Sequence, residues 1–283
     1  MNDDIRITIV MNDRAGEGLV VEHGFSLWIE VAGRHILFDT GESSAFASNA
    51  DRLGIDLSMT DILVLSHGHY DHSGGVAHLL ELAGSAHIYC HPGVMSVRYS
   101  IEDGSARPVQ IPQESAAAMK SVAPAHLHWV EEPLTLFEEK EHDLAVGLTG
   151  QVPRETAYED TGGPFYLDPE GTRADLINDD LALWIRKGDE VIVCVGCSHS
   201  GIVNTLTHVR RITATQRLSG VVGGFHLLHA SAERLQRTVA VLSQFLPERM
   251  VPCHCTGDTA VAALTEAMGN RVTYGKSGMV LRF

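Results

Sequence analysis

Apolar positions along this chain come in two rhythms. Residues 5–10 alternate well enough to read as a strand, and 27–31 with 35–38 read as a hairpin closed at Ala32-Gly33-Arg34. Asp61-Ile62-Leu63-Val64-Leu65 and Gly220-Val221-Val222-Gly223-Gly224 carry unbroken apolar runs, the mark of strands buried on both faces. Further strands are expected at 87–90, 127–130, 181–186, 191–195, 250–252 and 272–283, with strand and turn over 146–154. Helical spacing predicts helices at 49–53, stopped by Gly54, and at 76–82, 114–122, 201–209, 232–245 and 258–268. Two comparable halves emerge, each of strands followed by helices. Residues 94–143 break the pattern with a turn-rich stretch at 104–112 and a charged run at 138–141, and they read as an insertion.

The stretch after the 61–65 strand changes the picture. Ser66-His67-Gly68-His69-Tyr70-Asp71-His72-Ser73-Gly74-Gly75 puts three histidines and one aspartate within six positions. Imidazole and carboxylate both bind divalent metals such as zinc. His67 and His69, two apart on extended chain, can point the same way and share one ion. Asp71 and His72 lie where the chain turns into a helix and can serve a second. Gly68 leaves room between the ligands, and Gly74-Gly75 allow a tight turn. The competing reading is a polar loop whose histidines only cap the helix. Elsewhere, Ser200-Gly201 opens a helix whose free N–H groups make a natural anion site.

Composition sets limits. The 283 residues carry a formal net charge of −15, which weighs against nucleic acid as a partner because phosphate binding needs clustered Lys and Arg. No apolar run approaches membrane-spanning length. The start, Met1-Asn2-Asp3-Asp4, is acidic and does not read as a signal peptide, so a cytoplasmic location is expected. Five cysteines, an odd number, argue against a disulfide framework. Cys90 and Cys194 sit in apolar runs and read as core.

The pattern His-x-His-x-Asp-His after an apolar strand resembles the metallo-β-lactamase superfamily. Phe38-Asp39-Thr40-Gly41, Gly196-Cys197-Ser198-His199-Ser200-Gly201, Gly223-Gly224-Phe225-His226-Leu227 and Pro252-Cys253-His254-Cys255-Thr256-Gly257 extend the likeness over nearly the whole chain. Together they resemble a subgroup labelled dihydropteroate-synthase-like, which includes archaeal synthases of a dihydropterin-methyl-ribofuranosylaminobenzene phosphate. The resemblance implies an α/β fold, a four-layer αββα sandwich in one domain over residues 1–283. It implies two divalent ions, zinc first, with manganese or iron as alternatives. It implies His67, His69, Asp71, His72, His199 and His254 as ligands, and Asp39 behind them holding a loop. His199 and Cys197 both stand where the superfamily often has a bridging aspartate; His199 is preferred and Cys197 is placed behind the ligands. His226, beside Gly-Gly, is expected in the pocket. Arg154 is expected to bind an anionic substrate with Ser200 and Gly201, and His23 can face the site mouth. One departure stands out: most members have a metal-binding histidine where 149–160 has none.

The expected activity is attack by metal-bound hydroxide, oriented by Asp71 with His226 assisting, on a small anionic or phosphorylated, pterin-related substrate. The subgroup also points to a transferase or synthase step. Two rivals remain: mono-iron oxygen or thiol chemistry, and a non-catalytic metal or ligand sensor. Flavin-linked di-iron relatives carry Glu where this chain has His69.

Overall fold

The computed structural model describes residues 5–283. Met1 to Asp4, read above as no signal peptide, lie outside the described residues. Two large sheets face each other. The first has seven strands in the spatial order Val280–Arg282, Arg6–Met11, Ser26–Val31, Arg34–Phe38, Ile62–Val64, His87–Cys90, Leu127–Trp129. The second has six: Met250–Cys253, Arg217–Gly224, Glu190–Val195, Ala182–Lys187, Leu144–Leu148, Leu134–Glu139.

Side-chain alternation makes the layers. Along Ser26–Val31, Leu27 and Ile29 enter the core between the sheets while Trp28 joins the opposite face. The inter-sheet core joins Ile7, Phe38, Leu183, Ile192 and Val222. On the outside of the first sheet, Leu37 and Leu63 pack with Phe46, Val76, Leu79 and Met119 from the helices Ala45–Arg52, Val76–Leu82 and Gln113–Ser121. Outside the second, Val193 and Val221 pack with Leu206, Leu242 and Leu264 from Ile202–Thr213, Ala232–Phe245 and Asp258–Met268. The result is the αββα sandwich.

Three local expectations change. The first helix begins at Ala45, not residue 49; its face toward the sheet includes Asn49, whose amide bonds Val10 O and Val20 O, so a polar residue masks the apolar spacing. Of 272–283, only Val280–Arg282 is strand. The rest runs as loop beside the first strand's end, where Asn12 Nδ2 donates to Gly275 O and Ser277 N to Arg14 O. Residues 94–143 are divided: Leu127–Trp129 and Leu134–Glu139 are edge strands of the two large sheets, whereas Tyr99–Glu102 and Ser105–Pro108 form a hairpin that pairs with Phe165–Tyr166. That small sheet stands over one end of the sandwich, where the parallel strands of both sheets stop.

Candidate functional site

A cavity of 770 Å³ opens at that end. His69, Asp71, Cys197, His199, His226, His254 and Cys255 line it, with His23, Asp13, Arg107 and Phe165 among the other walls. The motif enters from Ile62–Val64 and turns into the short helix Tyr70–Ser73. Neither Gly68 nor Gly74-Gly75 has positive φ. Gly68 is needed because a Cβ there would collide with the carbonyl oxygen of Val94.

Backbone and carboxylate partners fix which nitrogen each histidine turns inward. His72 Nδ1 lies 2.7 Å from Asp39 Oδ2, so the ring donates there and its Nε2 lone pair faces the site. Asp39 also accepts from Ser66 N and Ser66 Oγ, both at 2.7 Å, and Ser66 Oγ lies 2.9 Å from His67 Nδ1. His199 Nδ1 donates to Thr161 O at 2.8 Å. Metal-ligating histidines are commonly oriented in this way. His67 Nε2 then approaches His69 Nδ1 at 3.0 Å. The buried atoms His69 Nε2, His199 Nε2 and His226 Nδ1 have no hydrogen-bond partner. Burial, reinforced by neighbouring histidines, holds His67 and His199 well below the usual imidazole range. Burial with the nearby Arg98 charge lowers His69 to about 3. Neutral imidazole is the form that binds metal.

The donor set fits divalent ions. His67, His69 and His199 bring one nitrogen each within 4.8 Å of one another. On the other side, His254 Nε2 lies 3.1 Å from Asp71 Oδ2, and His72 Nε2 lies 3.1 Å from Cys197 Sγ. Burial works against a charged His254, but its hydrogen bonds to the Asp13 and Asp71 carboxylates outweigh it and hold its pKa well above the usual range. Asp13 has no signal in the sequence; it reaches His254 Nδ1 at 2.6 Å and His23 Nδ1 at 3.2 Å. His23 itself stands at the cavity wall, its Nε2 3.5 Å from Asp71. Phe165 is equally unannounced, its ring 4.9 Å from that of His69. Asp39, Ser198, His226 and His254 all adopt positive φ; left-handed backbone in non-glycine residues concentrates at functional sites.

Three expected roles change. Arg154 does not line the cavity; its guanidinium donates to Leu176 O and His199 O and so buttresses the His199 backbone. Ser200 and Gly201 do not offer a free anion site. Ser200 N donates to Asp180, and the N–H groups of Val203 and Asn204 both donate to Glu159, so a carboxylate of the chain itself caps this helix. Cys197 does not sit behind the ligands: it lines the cavity at ligand distance. His199 gathers with His67 and His69 and, in a second group, with Cys197 and His226.

Burial pushes the Asp180 carboxyl up to about 6, against the Ser200 hydrogen bonds that lower it. The folded chain therefore holds that proton more tightly than the unfolded chain, whose carboxyl titrates near 3.8. Stability from this group is lost as pH rises between those values. Asp180→Asn keeps an acceptor for Ser200 N and removes the ionised form. It is expected to gain about 2–3 kcal/mol over the wild type at about pH 8 and almost nothing at about pH 4, read by urea denaturation at both.

Comparison with known proteins agrees with this geometry. A family model described as the metallo-beta-lactamase superfamily matches residues 19–212. The uncharacterized protein MJ0448 of Methanocaldococcus jannaschii is 32% identical over 281 residues, covering 97% of this chain and 99% of its own. The 7,8-dihydropterin-6-methyl-4-(beta-D-ribofuranosyl)-aminobenzene-5'-phosphate synthase of the same archaeon is 26% identical over 295 residues, covering 99% and 97%. Among solved structures, Tm1679, described as a metal-dependent hydrolase of the beta-lactamase superfamily, is 28% identical with a TM-score of 0.81 over 98% of both chains. With most of its length matched by the family model and a histidine-rich cavity at the shared end of its two sheets, this chain belongs to the metallo-β-lactamase superfamily.

Proposed function

We propose that this chain is a dinuclear metal enzyme acting on a small, anionic, pterin-related substrate. The observation that carries the reading is the convergence of buried imidazole nitrogens without partners, His69 Nε2 and His199 Nε2 above all, on one cavity. His67, His69 and His199 would hold one ion; Asp71, His72 and His254 would hold the other. Bound divalent ions of this kind supply an activated water and stabilise developing negative charge on the substrate.

The chain's own groups supply the rest. Asp71, its Oδ2 3.1 Å from His254 Nε2, lines the cavity where it can orient a water. His226, its ring 4.2 Å from that of His199 and its Nδ1 without a hydrogen-bond partner, stands where it can pass a proton at the cavity wall. Phe165 gives an apolar face against which a flat heterocycle can pack. Arg107 brings a guanidinium to the cavity wall, where it suits a phosphate or carboxylate. The pterin class rests on the M. jannaschii synthase, and the solved hydrolase keeps hydrolysis beside group transfer as the reaction type.

Elemental analysis of protein purified without added metal tests this. About two divalent ions per chain are expected, falling to about one in His199→Ala and in His254→Ala. A single iron per chain, untouched by His199→Ala, would remove the dinuclear reading and turn attention to oxygen or thiol chemistry.

A further inference from the structure

We propose that Cys197 and Cys255 are direct metal ligands, so that the site is sulfur-bearing and selects a borderline-soft ion such as zinc or iron(II) over magnesium or manganese. This rests on the reading above that the cavity floor holds metal.

Five free cysteines divide into two kinds. Cys90, Cys194 and Cys253 lie inside the apolar cores. Cys197 and Cys255 instead line the cavity, with their sulfurs 3.3 Å apart. Cys197 Sγ is also 3.1 Å from His72 Nε2, the nitrogen that Asp39 leaves facing inward. One sulfur belongs to three donor groups whose atoms lie within 4.8 Å of one another: with His67 and His72, with His199 and His226, and with His254 and Cys255. It therefore stands between the two sets of imidazoles, where it would serve either ion that they hold.

The donors are already gathered: zinc–sulfur and zinc–nitrogen bonds near 2.3 and 2.0 Å would put two sulfurs about 3.8 Å apart and a sulfur and a nitrogen about 3.5 Å apart, so the 3.3 Å between the sulfurs and the 3.1 Å from Cys197 Sγ to His72 Nε2 would each open by about half an ångström around an ion. A thiol is only a weak hydrogen-bond donor, so two thiols and an imidazole gain little from gathering here without an ion. The parallel sheet sets the arrangement. Cys197 follows Glu190–Val195 and Cys255 follows Met250–Cys253, and the strand between them ends at Gly224. A Cβ on Gly224 would stand 2.7 Å from Cys255 Sγ and 3.3 Å from Cys197 Cα, so the glycine keeps the space in which the two sulfurs meet. Thiolate donors favour zinc and iron over magnesium and manganese, which prefer oxygen.

Cobalt(II) loading of the full chain tests the proposal, because sulfur ligation adds a near-ultraviolet charge-transfer band that nitrogen and oxygen ligands do not. The band is expected in the wild type, reduced by roughly half in Cys197→Ser and in Cys255→Ser, and unchanged in Cys90→Ala. With zinc and manganese offered together to the wild type, zinc is expected to be retained; this arm needs no variant to fold. Bound cobalt without the charge-transfer band, or a band insensitive to both serine variants, would overturn the proposal while leaving the metal reading intact. Equal retention of manganese would also overturn it. Failure to bind cobalt or zinc at all would overturn both.

Discussion

Arg98→Met should cost about 3–5 kcal/mol of stability, the usual penalty for leaving a buried charge without its partner. Arg98 is only 1% exposed. Its Nη2 donates to Asp179 Oδ1 at 2.8 Å and to Gly93 O at 3.0 Å, and its Nε lies 3.1 Å from Asp175. Asp179 in turn accepts from Gly68 N at 2.8 Å, within the His67-Gly68-His69 turn. The guanidinium therefore neutralises two buried carboxylates, one of which holds the His67-Gly68-His69 loop. Methionine fills similar volume and strips the charge. Urea denaturation should show a lower midpoint, and Arg107→Met, an exposed pair with Glu102, should change stability by at most about 0.5 kcal/mol. Arg98→Met with Asp179→Asn should recover part of the loss because one unpaired charge is gone. An unchanged midpoint in Arg98→Met would show that water or a rearrangement relieves those carboxylates.

Asp39→Asn should weaken metal binding by about 10–100-fold while leaving the fold in place. Asp39 is fully buried and takes the left-handed conformation, φ 60, which asparagine also tolerates. One oxygen would still accept from Ser66 N. The new amide would face Ser66 Oγ and His72 Nδ1, so His72 would lose the acceptor that turns its other nitrogen inward. Zinc competition against a chromophoric chelator, beside the wild type, measures the effect. Equal affinities would mean that Asp39 shapes the loop and contributes nothing to ligand orientation.

How much of this was legible depended on separation along the chain. His67, His69, Asp71 and His72 stand together because one strand end delivers them, and spacing alone exposes them. The hairpin over 27–31 and 35–38 is likewise local, closed by Ala32-Gly33-Arg34. Asp13 and Phe165 could not be read so: each is an ordinary residue in a turn-rich segment until a partner 241 residues away, or a hairpin, gives it a neighbour. The helix opening at Ser200-Gly201 was a sound local inference about free N–H groups. What it lacked was Glu159, a carboxylate supplied from another loop. The same holds for Arg154, whose partners are two backbone carbonyls that no motif marks. Cys197 was legible as a site residue and not as the hub, because its standing comes from three separate strand ends meeting.

The pairing of Arg6–Met11 with Val280–Arg282, and of Asp13 with His254, has a consequence for biosynthesis. A ribosome releases the His67 to His72 segment long before His254 exists. During that interval the nascent chain offers a four-donor loop to any cation it meets, without the residues that would discriminate among them. Contacts of such large sequence separation form late. On the metal-bearing reading proposed above, cofactor choice is deferred to the last stage of synthesis, when the final strand slots in beside the first, and a chain stalled before that point would carry a promiscuous chelator in place of a selective centre.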